Sequence, residues 1–551
     1  MNRKALFLSI QMVILTLAIL TNLHAQKVTG IKHVILIGVD GLSPDGIRKA
    51  HTPVMDKLMA TGAYTLHARC VTPSSSSSNW ASMIMGADVE QHGIHSNDYE
   101  RDRFILPPVV NGSSDIFPTI FGEIDKQIKE AKIAAVYHWK GFGRLFEANA
   151  VDYNQAAESE DQAMDLALKY LLREKPVFTF VHLDHVDHAG HVYGHGSPAY
   201  YASVEKADSL IGRMVVAIEA LGIQDQTLLL ISADHGGIGM GHGGLTLAEM
   251  EIPLILWGKS VKKGYTIPTP VYQYDNAATI AFALGIQAPY AWIGRPVQCA
   301  FQGFEAPANN YPVNEWMEKP VITPGNSSGM YGQGGLFFKD TTISISANNT
   351  AYKTYSIRYT IDGSMPDAQS ETYTSPIKFR SNMVLRAALF DGIKRVSEIS
   401  EANFRLADKE KNAPITYQCY LAENLKQLPD FHELTPVKEG KSYEFSSAEL
   451  TLPRQENVAV VFSGNINIET EGNYQLFTRS DDGSKLYLDN KLVVNNDGDH
   501  GIQEKSGKIS LKKGMHSIRV EWFNGGGGSW LDVSIEGGGI PRQIIPLRML
   551  R

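Results

Sequence analysis

The sequence is poor in cysteine and has no excess of basic residues. Three cysteines, Cys70, Cys299 and Cys419, lie far apart in 551 residues. They predict neither a disulfide framework nor a thiolate metal site, so a bound metal would need histidine and carboxylate ligands. The net charge of −8 shows no electrostatic footprint for nucleic acid. We therefore expect no nucleic acid polymer among the partners.

Long apolar runs are lacking after the first 25 residues, so the sequence predicts no transmembrane segment in the mature chain. The N-terminus combines Arg3 and Lys4 with an apolar stretch that ends near a small residue, Ala25. This pattern predicts a signal peptide over 1–25, and hence a secreted or periplasmic protein. A single membrane anchor is the alternative interpretation, although the stretch is short for one.

Apolar segments alternate with amphipathic segments over roughly the first half of the chain. Strands are predicted at 33–39, 132–137, 177–183 and 227–232, and helices at 117–129, 160–174 and 198–221. This alternation predicts an α/β domain with a doubly wound, mostly parallel sheet and helices on both faces.

A stretch rich in proline, asparagine and glycine follows the α/β region and leads to segments of alternating polarity. Such segments, separated by turn residues, predict two all-β sandwich domains. The predicted boundaries are 1–25 for the signal peptide, 26–303 for the α/β domain, and 304–410 and 411–551 for the two sandwiches.

Three aspartates follow predicted strands of the α/β domain. They are Asp40, Asp187 and Asp234. Ligands of open α/β sheets bind outside the carboxyl ends of the strands, so the three carboxylates are candidates for one shared site. The alternative for each aspartate alone is a turn or a helix cap.

Histidines accompany two of these aspartates. His191 follows Asp187 by four residues, His235 follows Asp234 directly, and His242 comes seven residues after His235. Imidazole and carboxylate groups are ordinary zinc ligands, and three of each suit two zinc ions. Two divalent cations would also balance three carboxylates and one alkoxide, which leaves a formally neutral site for an anionic substrate.

The stretch VTPSSSSSNWASMIMG, residues 71–86, places five serines before an apolar helical pattern. A polar linker is the alternative for such a run. A helix N-terminus favours an anion, however, and a serine hydroxyl bound to zinc would be activated for attack on phosphorus. The run is therefore a candidate for the nucleophile.

The ordered motifs resemble a known family. VDG at 39–41, SSSN at 76–79, HGIHSN at 92–97, DHAGH at 187–191 and DHGG at 234–237 are similar to the alkaline phosphatase superfamily, and most closely to its nucleotide pyrophosphatase/phosphodiesterase branch. The resemblance implies a two-zinc hydrolase that cleaves phosphodiester or pyrophosphate bonds through a phosphoserine intermediate. Nucleotides and phosphates linked to glycans or glycolipids are the substrate classes it leaves open.

The resemblance also implies catalytic residues. Alignment on Asn79 makes Ser76 the nucleophile, and Asn97 then lies at the family's separation of twenty-one residues. Asn97 and the Ser76 amide would stabilise the phosphoryl oxygens. Because serines replace the usual Thr-Phe-Pro before the asparagine, Ser75 and Ser77 stay open as alternative nucleophiles.

The family's metal ligands map onto the candidate residues. One zinc is assigned to Asp40, Ser76, Asp234 and His235, and the other to Asp187, His191 and His242. In nucleotide pyrophosphatases the third histidine lies much further along the chain. The close spacing here is more similar to the glycolipid ethanolamine-phosphate transferases of the same superfamily, so the substrate class stays open.

Other polar residues near these motifs have weaker assignments. Lys140 and Arg144 are candidate phosphate contacts, with exposed surface charges as the alternative. Four further histidines are interpreted as supporting or surface residues, because zinc takes about four ligands. They are His182, His185, His188 and His195.

The C-terminal half carries two further resemblances. Residues around YTIDGSMPDAQSETYTSPIKF are similar to the C-terminal β-sandwich of chitobiases, and NYQLFTRSDDGSKLYLDNKLVV is similar to the protective-antigen type β-sandwich. The second resemblance implies carbohydrate as a partner and calcium at Asp481 and Asp482, with a strand-connecting turn as the alternative. For the whole chain, a phosphomonoesterase and a non-catalytic glycan-binding surface protein are the alternative functions.

Overall fold

The computed structural model describes residues 28–314, 316–325, 333–347, 355–409, 411, 413–448 and 450–551. The chain divides into two compact units, one ending at Glu315 and the other beginning at Trp316. The predicted signal peptide lies outside the described residues, and the predicted domain boundaries stay predictions. In the part of the chain that the structure describes, no helix has the length and apolar character needed to cross a membrane.

The first unit is built around an eight-stranded sheet with the order β4-β3-β5-β1-β6-β7-β2-β8. Seven strands run in one direction, and β7 is antiparallel to both of its neighbours. The strands are β1 (His33–Val39), β2 (Ala63–Arg69), β3 (Ile133–Tyr137), β4 (Tyr153–Ala156), β5 (Phe178–Leu183), β6 (Thr227–Ser232), β7 (Glu251–Gly258) and β8 (Tyr265–Thr266).

The central strands explain why the sequence predicted a parallel sheet. β1 pairs in parallel with β5 on one side and with β6 on the other. Helices cover both faces of such a sheet, so its central strands are buried on both faces and read as continuous apolar runs. All residues of β5 and β6 are buried, as are six of the seven residues of β1.

The helices of this unit form two groups of mutual contact, as a doubly wound sheet requires. Those of one group, Ser76–Met85, Ile120–Gln127 and Asp275–Leu284, pack on one another. Those of the other group, Pro44–Lys49, Pro53–Thr61 and Glu160–Glu174, pack on Pro198–Ala220. The remaining α-helices are Val89–His92, His185–Tyr193 and Leu247–Met250, and the short 3₁₀ helices are Ser113–Asp115, Lys140–Arg144, Ala148–Ala150, Gln224–Gln226 and Gln298–Ala300.

The serine run begins a buried helix rather than a linker. Ser76 is the first residue of the helix Ser76–Met85, and every side chain of that helix is buried. The helix ends at Gly86, which has the left-handed conformation (φ 60°) that glycine adopts without strain. Trp80 packs so closely on β1 that a Cβ atom at Gly38 would lie 2.4 Å from its ring. Close packing therefore fixes the position of Ser76, the first residue of this helix.

The second unit is all β and contains two pairs of sheets. In the first pair, a sheet ordered β10-β17-β15-β12-β13, with β16 on β15, accompanies the sheet β14-β11-β9. Side chains of both sheets share one core, which includes Ile343, Phe379, Leu385 and Phe404. The strands are β9 (Val321–Thr323), β10 (Gln333–Phe337), β11 (Thr341–Ser346), β12 (Ser356–Thr360), β13 (Glu371–Thr372), β14 (Ile377–Phe379), β15 (Met383–Asp391), β16 (Lys394–Arg395) and β17 (Ser400–Leu406).

The second pair of sheets has the orders β19-β18-β20-β25-β22-β23 and β24-β21-β26-β27. Its core joins Phe462 and Trp522 of one sheet to Leu476 and Ile535 of the other. The strands are β18 (Ile415–Leu421), β19 (Lys438–Ser442), β20 (Val458–Ile468), β21 (Gly472–Asp481), β22 (Ser484–Leu488), β23 (Lys491–Asn496), β24 (Gln503–Leu511), β25 (Gly514–Asn524), β26 (Trp530–Gly537) and β27 (Ile540–Ile544), followed by the 3₁₀ helix Leu547–Met549.

The predicted fold class is confirmed: a mostly parallel α/β sheet is followed by all-β structure. Alternating inward-facing residues of paired sheets build each β core, which is the sandwich arrangement. The three cysteines are buried and free.

Candidate metal centre and active site

The predicted site residues lie at the carboxyl edge of the sheet. Asp40 directly follows β1, Asp187 lies four residues after β5, and Asp234 lies two residues after β6. The serine run follows β2, which runs in the same direction as these strands. Strands of one direction end at one edge, and this is where open α/β sheets bind ligands.

One group of atoms gathers around His235. Its Nε2 atom lies 3.1 Å from Asp234 Oδ2 and 3.6 Å from Asp40 Oδ1. The Ser76 Oγ atom lies 3.4 Å from the same nitrogen. The two carboxylates and the imidazole are close enough together to hold a metal ion. The structure thus brings together all four residues assigned to the first zinc.

The carboxylates of this group each keep one oxygen free. Asp40 Oδ1 and Asp234 Oδ2 are buried and have no hydrogen-bond partner among the described residues. His235 Nδ1 must donate to the Gly236 carbonyl, 2.8 Å away, because that oxygen can only accept. The neutral His235 ring then presents a lone pair on Nε2 toward the free carboxylate oxygens. Oxygen and nitrogen lone pairs that converge in a buried space are suited to bind a cation as its ligands.

The second oxygen of Asp40 is held by two donors. His182 Nε2 lies 3.1 Å from Asp40 Oδ2, and Trp80 Nε1 donates to the same atom over 3.2 Å. The Trp139 amide donates to His182 Nδ1, so the proton of the neutral His182 ring lies on Nε2. Both donors direct Asp40 Oδ1 toward His235. Such supporting contacts fix the orientation of metal ligands.

Asp234 is oriented by backbone amides. Its Oδ1 atom accepts hydrogen bonds from the amides of Gly41 (3.1 Å) and His235 (2.9 Å). Gly41 has a φ of +68°, and a Cβ atom there would lie 2.8 Å from the backbone of Asp187. The glycine of the VDG motif is therefore required by both conformation and space.

A second group of atoms gathers around Asp187. His191 Nε2 lies 3.2 Å from Asp187 Oδ2, and His242 Nε2 lies 3.8 Å from Asp187 Oδ1. The Asp187 Oδ1 atom is buried and lacks a hydrogen-bond partner among the described residues. His191 Nδ1 donates to the Met240 carbonyl over 2.9 Å. His242 Nδ1 likewise donates to a carbonyl, that of Ser74, over 2.8 Å. The predicted ligands of the second zinc are thus close together, with Nε2 of each ring directed at the carboxylate.

The pKa values of these residues reflect the concentration of charge at the two groups. Burial, followed by the charge of Asp187, raises the pKa of Asp234 to about 7. Burial and the charge of Asp234 raise the pKa of Asp40 well above its usual value. Burial would also raise the pKa of Asp187, but the hydrogen bond with His191 and nearby histidine charges lower it to about 2. The same hydrogen bond raises the pKa of His191 to about 9. Divalent cations would offset this repulsion.

The start of the Ser76–Met85 helix is held by two asparagines. Asn79 accepts from the Val71 amide over 2.7 Å and donates to the Ser75 carbonyl over 3.0 Å, which closes the preceding turn. Asn97 accepts from the Ser77 amide through Oδ1 over 2.8 Å. The predicted phosphate-contacting asparagine therefore lies at the N-terminus of the predicted nucleophile's helix.

The two predicted basic residues differ in environment. Arg144 donates through Nη2 to Ser77 Oγ over 3.2 Å and to the Asn97 carbonyl over 2.6 Å. Its buried Nε has no hydrogen-bond partner among the described residues. Lys140 instead forms an exposed ion pair with Glu158. The structure thus brings Arg144 to the serine helix, whereas Lys140 lies in a surface pair.

The predicted calcium residues lie in the second unit, where both Asp482 oxygens contact backbone amides. Oδ1 accepts from His500 over 3.0 Å and Oδ2 accepts from Gly525 over 2.8 Å. Burial and then the charge of Asp482 raise the pKa of Asp481. These contacts are those of a turn that joins strands, and the calcium assignment stays a prediction.

Sequence reasoning missed the specific contacts of three residues. His182 and Trp80 hold Asp40, and His195 Nε2 lies 3.8 Å from Asp187 Oδ1. The sequence predicts His182 and His195 only as supporting or surface residues. The clustering of histidines around the end of β5 indicated a metal site, but it could not indicate which imidazole rings face the metal ligands.

We expect Trp80→Phe to weaken metal binding about tenfold, because it removes one donor to Asp40 but keeps an aromatic ring in the core. Zinc affinity, measured by competition with a chromogenic chelator, checks this. The matched control is Trp292→Phe, which removes an indole hydrogen bond to the Pro118 carbonyl elsewhere in the same unit. Equal affinity losses in both variants would contradict the assigned role.

The fold and this cluster define an α/β domain with a candidate metal centre at its sheet edge. Residues 34–248 match the family model of type I phosphodiesterase / nucleotide pyrophosphatase. Residues 332–401 match the chitobiase/beta-hexosaminidase C-terminal domain, and 423–543 match the PA14 domain. The three resemblances predicted from the motifs are confirmed. Together with the candidate ligands, the matches support a hydrolase of phosphate esters.

Curated relatives share the α/β region at low identity. Human bis(5'-adenosyl)-triphosphatase ENPP4 is 24% identical over 216 residues, which cover 37% of this chain and 47% of that protein. GPI ethanolamine phosphate transferase 1 of Saccharomyces cerevisiae is 26% identical over 153 residues, which cover 24% of this chain and 17% of that protein. The chain therefore spans less than half the length of these relatives.

Among solved structures, human ectonucleotide pyrophosphatase / phosphodiesterase 5 aligns with a TM-score of 0.43 and 14% identity. The alignment covers 49% of this chain and 100% of that chain.

Proposed function

We propose that the chain is a two-zinc hydrolase that cleaves phosphodiester or pyrophosphate bonds through a phosphoserine at Ser76. The observation that carries the proposal is the position of the Ser76 hydroxyl. It lies at a helix N-terminus, 3.4 Å from His235 Nε2, within the group that includes the two partnerless oxygens of Asp40 and Asp234. Anion-binding amides, a hydroxyl and a cation site in one place are the components of phosphoryl transfer.

The residues present fit two metal ions, because three carboxylates each have a buried oxygen without a partner. Asp40, Ser76, Asp234 and His235 would hold one ion, and Asp187, His191 and His242 the other. Bound zinc would lower the pKa of the serine hydroxyl and offset negative charge on the phosphoryl group. Nitrogen and carboxylate donors without thiolates are compatible with zinc.

The chain's own groups bind and orient the reacting atoms. Ser76 Oγ forms a bond to phosphorus while the bond to the leaving alcohol breaks, and the serine proton leaves with the alcohol. Water then takes the phosphoryl group and restores the Ser76 hydroxyl. The Asn97 carboxamide and the Ser76 amide stabilise the phosphoryl oxygens as charge develops on them.

The test is a comparison of bis(p-nitrophenyl) phosphate with p-nitrophenyl phosphate, together with metal analysis of the purified protein. We expect about two zinc ions per chain and a higher kcat/KM for the diester. Absence of both metal and turnover would favour the non-catalytic glycan-binding alternative. A clear preference for the monoester would favour the phosphomonoesterase.

The phosphomonoesterase is a second candidate, and Arg144 is the observation that favours it. Its guanidinium contacts Ser77 Oγ, next to the proposed nucleophile. A guanidinium pairs best with the two charges of a phosphate monoester dianion, whereas a diester carries one charge. The contribution of Arg144 to turnover of each ester therefore distinguishes the two functions.

We expect Arg144→Met to lower kcat/KM for the monoester by about 10- to 100-fold and for the diester by less than about tenfold. Steady-state kinetics on both substrates check this. Arg213→Met is the control, since Arg213 pairs with Asp161 and Asp165 on the surface. Equal losses on both esters would show that Arg144 does not discriminate between them.

We also propose a secreted or periplasmic location and a carbohydrate partner. One of the relatives named above is, by its printed name, a GPI ethanolamine phosphate transferase. The PA14 match is the reason for proposing carbohydrate as the partner. The second unit has a groove of about 930 Å³ whose lining includes Trp530, Arg479 and Asp532. Trp530 Nε1 donates to Asp532 over 2.8 Å. An aromatic ring among paired charges suits a polar, uncharged ligand. Binding of neutral oligosaccharides by the intact protein, measured by calorimetry, tests this.

A further inference from the structure

His195 is a buried histidine whose ring has no hydrogen bond. Both ring nitrogens are buried and without a partner among the described residues, and the side chain is only 4% exposed. Leaving buried polar atoms unpaired destabilises the folded protein. A ligand that binds the ring would remove this destabilisation. The ring is therefore a candidate for binding a group that the protein chain itself does not supply.

The position of the ring is built by its surroundings. The His195 amide donates to the Gly239 carbonyl over 2.7 Å, which joins the loop after His191 to the loop after His235. A Cβ atom at Gly190 would lie 2.4 Å from the His195 ring, and one at Gly237 would lie 2.3 Å from it. Both positions thus admit only glycine while the ring is in place.

The ring faces a carboxylate oxygen that also lacks a partner. His195 Nε2 lies 3.8 Å from Asp187 Oδ1, and His242 Nε2 lies 3.8 Å from the same oxygen. This separation is too long for a hydrogen bond. Two ligand atoms of one tetrahedral zinc lie about 3.3 to 3.4 Å apart, given zinc bonds of about 2.0 to 2.1 Å. A cation between Asp187 and His195 would therefore need only a small movement of either side chain.

We propose that His195 is a fourth protein ligand of the second metal ion, in addition to Asp187, His191 and His242. This inference rests on the proposed function, which supplies the second metal site. One carboxylate and three imidazoles are ordinary zinc ligands, and an ion with these four can still take a substrate oxygen as a fifth ligand. The second ion is consequently held more tightly and exchanges more slowly than a site with three ligands would allow.

The test replaces His195 with alanine in the full chain and measures metal binding rather than turnover. Zinc affinity is obtained by competition with a chromogenic chelator, and the protein loaded with Co²⁺ is examined by visible absorption, which reports coordination number. We expect zinc affinity at one site to fall at least about 100-fold, since loss of a direct ligand exceeds loss of a supporting contact. The Co²⁺ bands of that site should change in intensity. His188→Ala is the matched control, because His188 is an exposed histidine of the helix His185–Tyr193, which also carries Asp187 and His191.

His195→Gln provides a second variant of similar volume in case the alanine variant does not fold. The melting temperature of metal-free protein should be similar in wild type and His195→Gln, while the increase on adding Zn²⁺ should be smaller in the variant. If the wild type binds two ions and a His195 variant keeps the wild-type zinc affinity and Co²⁺ bands, the inference is wrong while the proposed function stands. A wild type that binds no metal would overturn the proposed function with it.

Discussion

Replacing Ser76 with alanine is expected to lower turnover of bis(p-nitrophenyl) phosphate by about 10⁴-fold or more, because it removes the attacking oxygen. The hydroxyl is small and lies at the first position of its helix, so the variant should stay folded. Substrate binding should change little, since the Ser76 amide and Asn97 are retained. Single-turnover kinetics, with a melting curve for each protein, measure this.

Ser75→Ala and Ser77→Ala are the controls for the nucleophile, because the sequence left these serines open. Ser75 Oγ pairs with Ser78 Oγ at 3.1 Å, and Ser77 Oγ accepts from Arg144. Neither contact reaches His235. We expect turnover to fall less than about tenfold for Ser75→Ala and less than about 100-fold for Ser77→Ala, which loses a partner of Arg144. If Ser76→Ala kept full turnover while either neighbour lost it, the nucleophile assignment would be wrong.

Asp234→Asn is expected to reduce the zinc content from about two ions per chain to about one and turnover by about 10³-fold. The carboxamide keeps the shape of the side chain but loses the charge that a cation needs. Because Asp234 is buried beside other carboxylates, the metal-free variant should be more stable than metal-free wild type. Metal analysis by mass spectrometry and thermal unfolding with and without Zn²⁺ measure both effects.

Asp208→Asn is the matched control for this change. Asp208 is also a buried aspartate of the first unit, but its carboxylate accepts from the amides of Val54 (3.1 Å) and Met55 (2.7 Å) at the start of a helix. Its replacement should lower stability by about 1 kcal/mol and leave the zinc content unchanged. Retention of two zinc ions by Asp234→Asn would count against the first metal site.

Local patterns in the sequence were sufficient for much of the fold. β1, β6 and the helix Glu160–Glu174 begin and end where the sequence predicted, because apolar runs and three- to four-residue spacing act over neighbouring residues. The direction of β7 was not predicted. It depends on pairing with β6 and β2, which are distant in sequence, and its apolar run has no feature that marks an antiparallel strand.

The candidate site was predictable where ligands occur in pairs close in sequence. Asp187 with His191, and Asp234 with His235, are short motifs that follow strands. The roles of His182 and His195 were not predictable, because they depend on which ring nitrogens find partners after folding. The Trp80 indole belongs to the apolar helical pattern that follows the serines, and its contact with Asp40 arises across the sheet edge.

The three partnerless carboxylate oxygens have a consequence for the life of the protein before it meets metal. Under the proposed function, the freshly folded chain holds repelling charges at the edge of its sheet, and the loops after β5 and β6 are the segments that would relieve the repulsion by opening. Local opening exposes backbone to proteases in proportion to its equilibrium population. Resistance to a protease should therefore increase with zinc concentration, so that chains which fail to acquire metal are removed first.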